Sequence, residues 1–265
     1  MHALPAGERR KKMKVVTFNI RCDYGQDGIN QFSNRKKLIL EKIENEQPDI
    51  IGFQEVLPHV AVWLKENLTE YYIIGCGRSA TLSGEQMSIA YRKDKLNLIS
   101  MQTWWLSPTP EIPGSRYEEQ SSCPRTATEV VFEEMETHKV FRMINTHLDH
   151  IGAVARQKGL SQILNHIQNE TFWKSVPIIL CGDFNAEPDS PEMEAIRQDE
   201  TLINITKDIG ITFHGYYQND PSDPPSSIDY IVLKGDWTCS SVEKWTDEIN
   251  GVYLSDHYPV CAVIE

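Results

Sequence analysis

The run Ile178-Ile179-Leu180-Cys181-Gly182-Asp183-Phe184-Asn185 passes abruptly from apolar residues to a carboxylate and an amide. Its first half reads as a buried strand, and the change of character places Asp183 and Asn185 at the strand's C-terminal mouth. Alternation along an extended backbone sends residues two apart to the same side. An Asp in that position can order or deprotonate a water, and an Asn amide can donate to an anionic oxygen. A lone Asp-x-Asn is better explained by an Asx-type turn, so the motif gains meaning only from partners.

Partners of the same kind recur along the chain. Asn19 closes the β-branched and apolar run at 14–20, and Gln54 and Glu55 follow the run at 49–53. His147 closes 140–148, Asp229 stands in 228–233, and Asp256 and His257 stand at the entrance of 258–264. Each is a polar group at the end of an apolar run, and a globular core brings such ends together. Carboxylates gathered there repel one another unless a cation or a shared proton relieves them. Oxygen ligands of this type suit Mg²⁺ or Mn²⁺ rather than Zn²⁺.

The elements that must position these groups alternate between strand and helix. After the first strand and the glycine-containing loop at 23–30, Ser33 or Asn34 caps a helix carrying Leu38, Ile39 and Ile43 to about Gln47 before Pro48. A second helix opens near Pro58, and strands follow at 71–74, 88–91, 96–106, 129–133 and 140–148. The four-proline segment 107–125 reads as a long irregular loop, a place for substrate-facing residues. A long helix over 154–172 presents Leu160, Ile163, Leu164 and Ile167 on one face before the Asp183 strand, and a short one covers 191–197. The segment 216–227 is loop. Two packed sheets with helices outside account for this pattern. No fixed-period repeat or linker divides it: residues 1–12 read as an N-terminal extension outside the fold, with Met13 as an alternative start, and 13–265 as one domain.

Composition limits the function. The 265 residues carry a formal net charge of −12, which argues against a broad basic surface tracking duplex DNA. With 40% hydrophobic and 24% charged residues and no apolar run long enough to cross a bilayer, the sequence reads as a globular, non-membrane protein. The six cysteines form no Cys-x-x-Cys pair and read as reduced, and the basic N-terminus lacks the apolar stretch of a secretory signal. Together these point to a cytoplasmic monomer.

The ordered series Thr17-Phe18-Asn19-Ile20-Arg21, Gln54-Glu55, Thr146-His147-Leu148, Gly182-Asp183-Phe184-Asn185, Ile228-Asp229-Tyr230 and Ser255-Asp256-His257-Tyr258-Pro259-Val260 resembles the endonuclease/exonuclease/phosphatase superfamily. The resemblance covers nearly all of residues 14–265. It implies a DNase-I-like four-layer α/β sandwich, two mainly antiparallel or mixed sheets flanked by helices, bearing a divalent-metal phosphoesterase site. It further implies Glu55 as main metal ligand with Asn19 and Asp256 beside it, Asp183 activating the attacking water, and Asn185 holding a non-bridging oxygen. His257, oriented by Asp229, would stabilise the transition state or protonate the leaving group. Gly77-Arg78 with Glu85 resembles the DNase-I-like segment in which a Glu pairs with the second histidine, so Glu85 is expected to orient His147, with Arg78 near the substrate. Arg21 stands where abasic-site endonucleases place an Asp. Trp105-Leu106-Ser107 and Pro124-Arg125-Thr126-Ala127 look instead like deadenylase-type and related bacterial members; Arg125 is read either as a phosphate contact or as a surface or core arginine.

The reading that follows is a Mg²⁺- or Mn²⁺-dependent hydrolase of phosphomonoesters or phosphodiesters, its substrate a small molecule or a short single-stranded nucleic acid. A nuclease or deadenylase-type activity and an inactive binding or scaffolding member are the alternatives. His147-Leu148-Asp149-His150 resembles part of a metallo-β-lactamase zinc motif, but that motif needs a His at Asn145, so Asp149 and His150 are expected to line the cleft without binding zinc. His59, His138, His166 and His214 read as surface or loop residues, and the tryptophans as packing.

Overall fold

In a computed structural model that describes residues 12–217, 221 and 224–265, the strand-end residues lie at one edge of two stacked sheets. The element order is β1 (Met13–Asn19), α1 (Phe32–Glu46), β2 (Ile50–Gln54), α2 (Pro58–Asn67), β3 (Tyr71–Ile74), β4 (Ile89–Arg92), β5 (Leu96–Trp105), β6 (Thr126–Glu134), β7 (Val140–His147) and α3 (Ala153–Asn169). It continues with β8 (Ile178–Asp183), α4 (Glu194–Gln198), β9 (Leu202–Asn204), β10 (Asp229–Lys234), β11 (Cys239–Lys244), β12 (Glu248–Ile249), β13 (Val252–Tyr253) and β14 (Val260–Ile264).

One six-stranded sheet has the order β11-β14-β1-β2-β4-β3 and the other β5-β6-β7-β8-β10-β9. Both are mixed: β1 and β2 run parallel, as do β7 and β8, and the other pairs within these sheets are antiparallel. Alternation sorts their side chains into layers. Val15, Ile50, Met143, Ile179 and Ile231 meet between the sheets. Val16, Phe18, Ile51 and Phe53 face outward onto Ile39 and Ile43 of α1 and Val60 and Leu64 of α2. Ile144, Ile178, Leu180 and Val232 face outward onto Leu160, Ile163 and Ile167 of α3. Helix, sheet, sheet, helix: this is the four-layer α/β sandwich.

The two central strands of each sheet are buried on both faces, which explains why they read as apolar runs ending in polar residues. Between them, Gly52 leaves the sheets in close approach, since a Cβ there would come within 2.7 Å of Cys181 Sγ. A polar link lies beside it: Gln54 Nε2 donates to Asn145 Oδ1 at 2.7 Å, and Asn145 Nδ2 donates to the carbonyl of Phe53 at 2.8 Å.

Some boundaries differ from the sequence reading. Helix α1 begins at Phe32 after Gln31, with no side-chain cap, so Ser33 and Asn34 lie within its first turn. The buried Arg35 does the anchoring instead: its guanidinium donates to the carbonyls of Asn30, Ile20 and Leu254, fixing the exit of β1. Strands β9, β11, β12 and β13 are short or largely exposed and carry little apolar pattern, so the sequence does not announce them. The N-terminal extension lies, except for Lys12, outside the described residues, as do five positions of the 216–227 loop.

Candidate active site

Strand ends converge on a cleft of about 450 Å³ at the seam between the sheets, lined among others by Glu55, His147, Asp183, Asn185, Asp256 and His257. Register explains the convergence. Parallel pairing puts His147 beside Asp183, antiparallel pairing puts Asp229 opposite Asp183, and parallel pairing in the other sheet puts Asn19 beside Gln54. Three exits turn through left-handed backbone at non-glycine residues, Arg21 (φ 63°), Glu55 (φ 63°) and Asn185 (φ 50°). Such conformations cost energy and cluster at functional sites. Gly182 (φ 145°) is obligatory, because a Cβ would sit 1.9 Å from the carbonyl oxygen of Thr146.

Asp183 is the hub. Its Oδ2 accepts from Asn19 Nδ2 at 3.0 Å and lies 3.3 Å from His147 Nε2 and 3.8 Å from His257 Nε2; its Oδ1 accepts from the Asn185 backbone N–H at 2.9 Å. Burial pushes its pKa up to about 7, Asp229 adding to the effect and His257 opposing it. Behind His257 stands Asp229, with Oδ2 2.8 Å from Nδ1. Burial would strip the imidazole of its proton, but Asp229, Asp183 and Asp256 hold its pKa up to about 10, so His257 is a cation at neutral pH. His147 is the opposite case. Burial and the charges of Arg125 and Arg78 push its pKa well below the usual range, leaving it neutral.

The other wall carries Glu55, Asp256 and Arg21. Glu55 Oε1 accepts from Asn19 Nδ2 at 3.1 Å and Oε2 from the Cys22 backbone N–H at 2.7 Å. Burial opposes its ionisation, yet Arg21 and these hydrogen bonds hold its pKa down to about 2. Arg21 grips Asp27 through two hydrogen bonds and reaches Asp256 Oδ2 at 3.1 Å, occupying the position the sequence marks as unusual.

All eleven sequence-predicted site residues lie in or against this cleft, but two make other contacts than expected. Glu85 pairs with Arg78 at 2.7 Å, and among the described contacts His147 Nδ1 has no hydrogen-bond partner, so Glu85 does not orient it here. Asn19 turns its amide nitrogen toward Glu55 and Asp183, while its oxygen accepts from the Arg21 backbone N–H at 3.0 Å; in this rotamer it is a donor, not a ligand. Asn185 Nδ2 donates to the Leu148 carbonyl at 3.1 Å, which leaves its second amide proton for the cleft. Only the end of the 107–125 loop, Cys123 and Arg125, lines the cleft. His214, read as a surface residue, is instead buried against Tyr217, Tyr253 and Tyr258. His150, read from the His147-Leu148-Asp149-His150 fragment as a cleft residue that binds no zinc, does line the cleft, whereas Asp149 does not; Phe213 is a cleft residue the sequence reading missed.

The sequence profile of the Endonuclease/Exonuclease/phosphatase family matches residues 16–257, from the first strand to the histidine paired with Asp229. The chain belongs to this family. A crystal structure of an endonuclease/exonuclease/phosphatase from Bacteroides vulgatus is similar, with a TM-score of 0.89 at 32% identity, covering 97% of this chain and 99% of that one. The mannosyl-6-phosphatase of Bacteroides thetaiotaomicron VPI-5482 is similar at TM-score 0.85 and 26% identity, over 96% of this chain and 99% of that one. Uncharacterized protein L388 of Acanthamoeba polyphaga mimivirus is 30% identical over 183 residues, 66% of this chain and 68% of its own length.

Members of the endonuclease/exonuclease/phosphatase family are typically phosphoester hydrolases, and the cleft offers two groups that could hold the family's dication. Ligand atoms of Asp183, Asp229 and His257 lie within 4.8 Å of one another. There, however, Nδ1 of the cationic His257 is committed to Asp229, and a metal would have to displace that proton. Glu55 with Asp256 fits better: each Glu55 oxygen accepts one hydrogen bond and keeps a free lone pair, and Asp256 brings a second buried carboxylate to the same cleft.

Proposed function

We propose that this chain is a Mg²⁺- or Mn²⁺-dependent phosphoester hydrolase that uses Asp183 to activate water and His257 to stabilise the departing charge. What supports this reading above all is the hub itself: one buried carboxylate in contact with Asn19, His147 and His257, with Asp229 behind His257, at the floor of an open cleft. A carboxyl with a pKa near neutrality is suited to take a proton from water and hold it. The cationic imidazole, held by Asp229, is suited to neutralise a phosphoryl oxygen or to donate its Nε2 proton to a leaving oxygen. Asn185 supplies an amide proton to a non-bridging oxygen. Glu55 and Asp256, with Asn19 after a turn of its amide, would hold the dication, whose contribution when bound is to polarise the phosphoryl group.

The relative named a mannosyl-6-phosphatase supports a small phosphorylated metabolite within the broader range of phosphoester substrates. The test is hydrolysis of a mixed panel of sugar phosphates, nucleotides, phospholipid head groups and short single-stranded oligonucleotides with Mg²⁺ or Mn²⁺, against an EDTA control. Wild type turns over at least one class, while Asp183→Ala and His257→Ala do not. Undiminished turnover in both variants would refute the site.

A further inference from the structure

Four arginine or histidine cations line or flank the cleft, and three are neutralised by a carboxylate at hydrogen-bond distance: Arg21 by Asp27, Arg78 by Glu85, and His257 by Asp229. Arg125 is not. Among the described residues its closest carboxylate oxygen is Asp149 Oδ2, 3.7 Å from Nε and already bound by Ser121 Oγ, while the Ser121, Ile151 and Gly152 backbone N–H groups bind Oδ1. Arg125 is 4% exposed and Arg78 8%, yet among the described residues Arg125 Nε and Nη1 and Arg78 Nη1 have no hydrogen-bond partner. Orphaned N–H groups alone decide little, since Arg142 has them too; Arg142, however, is ion-paired to Glu129 and does not line the cleft. Two buried guanidiniums that border one cleft and keep unpaired donors are costly without an anion beside them.

His150 completes the set. Its Nδ1 faces Arg125 Nη2 at 2.8 Å, and since a guanidinium only donates, Nδ1 must accept. The proton is then on Nε2 of an exposed ring lining the same cleft.

We propose that Arg125, Arg78 and His150 form a subsite for the terminal oxygens of a phosphomonoester dianion, making the cleft selective for monoesters over diesters. A monoester brings about two negative charges and three terminal oxygens at neutral pH, a diester one charge and two oxygens. Asn185 and His257 can serve two oxygens; the third, with the second charge, requires further donors, and the planar guanidinium forks provide them. Glu85 repels such an anion, and its pairing with Arg78 limits that repulsion.

The inference rests on the hydrolase reading, and its test separates the two. Wild type, Arg125→Gln, Arg125→Lys, Arg78→Gln and Asp183→Asn are compared on 4-nitrophenyl phosphate and bis(4-nitrophenyl) phosphate, with inhibition by inorganic phosphate as a binding measure and circular dichroism as a fold check. The expected result is that Arg125→Gln lowers monoester kcat/KM by about 100-fold while diester kcat/KM falls several-fold at most, that the inorganic phosphate Ki rises about tenfold or more, and that Arg125→Lys lies between. Folded arginine variants that lose both substrates in equal proportion, or leave the ratio and the phosphate Ki unchanged, overturn the subsite. Retained activity in Asp183→Asn overturns the hydrolase reading instead.

Discussion

Asp183 and Glu129 are two buried carboxylates on the same sheet, each in contact with a histidine, and their surroundings differ in one respect. Glu129, on the outer face of β6, accepts from Arg142 Nε at 2.6 Å, lies 2.9 Å from His166 Nε2 and also accepts from Gln102. Burial opposes its ionisation, but these partners outweigh burial and hold its pKa below the ordinary value. Asp183 has a neutral amide, a neutral imidazole and a histidinium shared with Asp229, and burial wins. The direction of the pKa shift therefore separates a carboxylate whose charge is spent on holding the fold from one kept available to bind a proton.

The comparison can be broken most directly by activity. Asp183→Asn, nearly isosteric, should lower kcat on the best panel substrate by on the order of 10³-fold, whereas Glu129→Gln should leave kcat within about threefold. Equal losses would mean that both carboxylates serve chemistry. Stability should show the reverse order. Glu129→Gln leaves Arg142 as a buried charge without its counter-ion, a change that costs roughly 3 kcal/mol, readable as a lower urea midpoint.

A pH profile sharpens the contrast. Asp183 must be ionised to take a proton and His257 protonated to give one, so kcat/KM should rise with pH through about 7 and fall as pH passes about 10. A flat profile across neutrality would remove Asp183 as the base. The smallest effect is on thermal stability, and the two variants should have opposite pH slopes. The folded state holds the Asp183 proton more tightly than the unfolded chain, so the stability it confers is present below the ordinary Asp range and lost as pH rises toward 7. Asp183→Asn avoids that loss and should melt roughly 2–4 °C above wild type at pH 8, the gap closing near pH 4. Glu129 is depressed, so its contribution is present above its ordinary value and lost as pH falls; the deficit of Glu129→Gln should shrink in acid. Differential scanning calorimetry at the two pH values decides both.

Much of this was legible in the chain before folding, for a definite reason. Central strands buried on both faces, such as β1, β2 and β8, must be apolar until they leave the core, so Asn19, Glu55 and Asp183 announce themselves by contrast. Edge elements such as β11 have exposed side chains and no such contrast. Rotamers and pairings were beyond reach as well. That Glu85 grips Arg78 rather than His147, or that Asn19 presents nitrogen rather than oxygen, follows from neighbours up to 238 positions away in the chain. The loose pairing of Arg125 likewise exists only in three dimensions, because Asp149 Oδ2 stands 3.7 Å from its Nε and is held there by Ser121 Oγ.

The place where Gly52 meets Cys181 sets the gauge of the whole device. Glu55 belongs to one sheet and Asp183 to the other, three and two residues beyond that contact, so the gap between the carboxylate suited to a cation and the carboxylate suited to water is fixed by how thin the interior is there. Adding a single carbon at position 52 would act as a shim, spreading the jaws at their mouth. The hydrogen atom of one glycine is thus a working dimension of the catalyst, though it lies too deep for any substrate to touch.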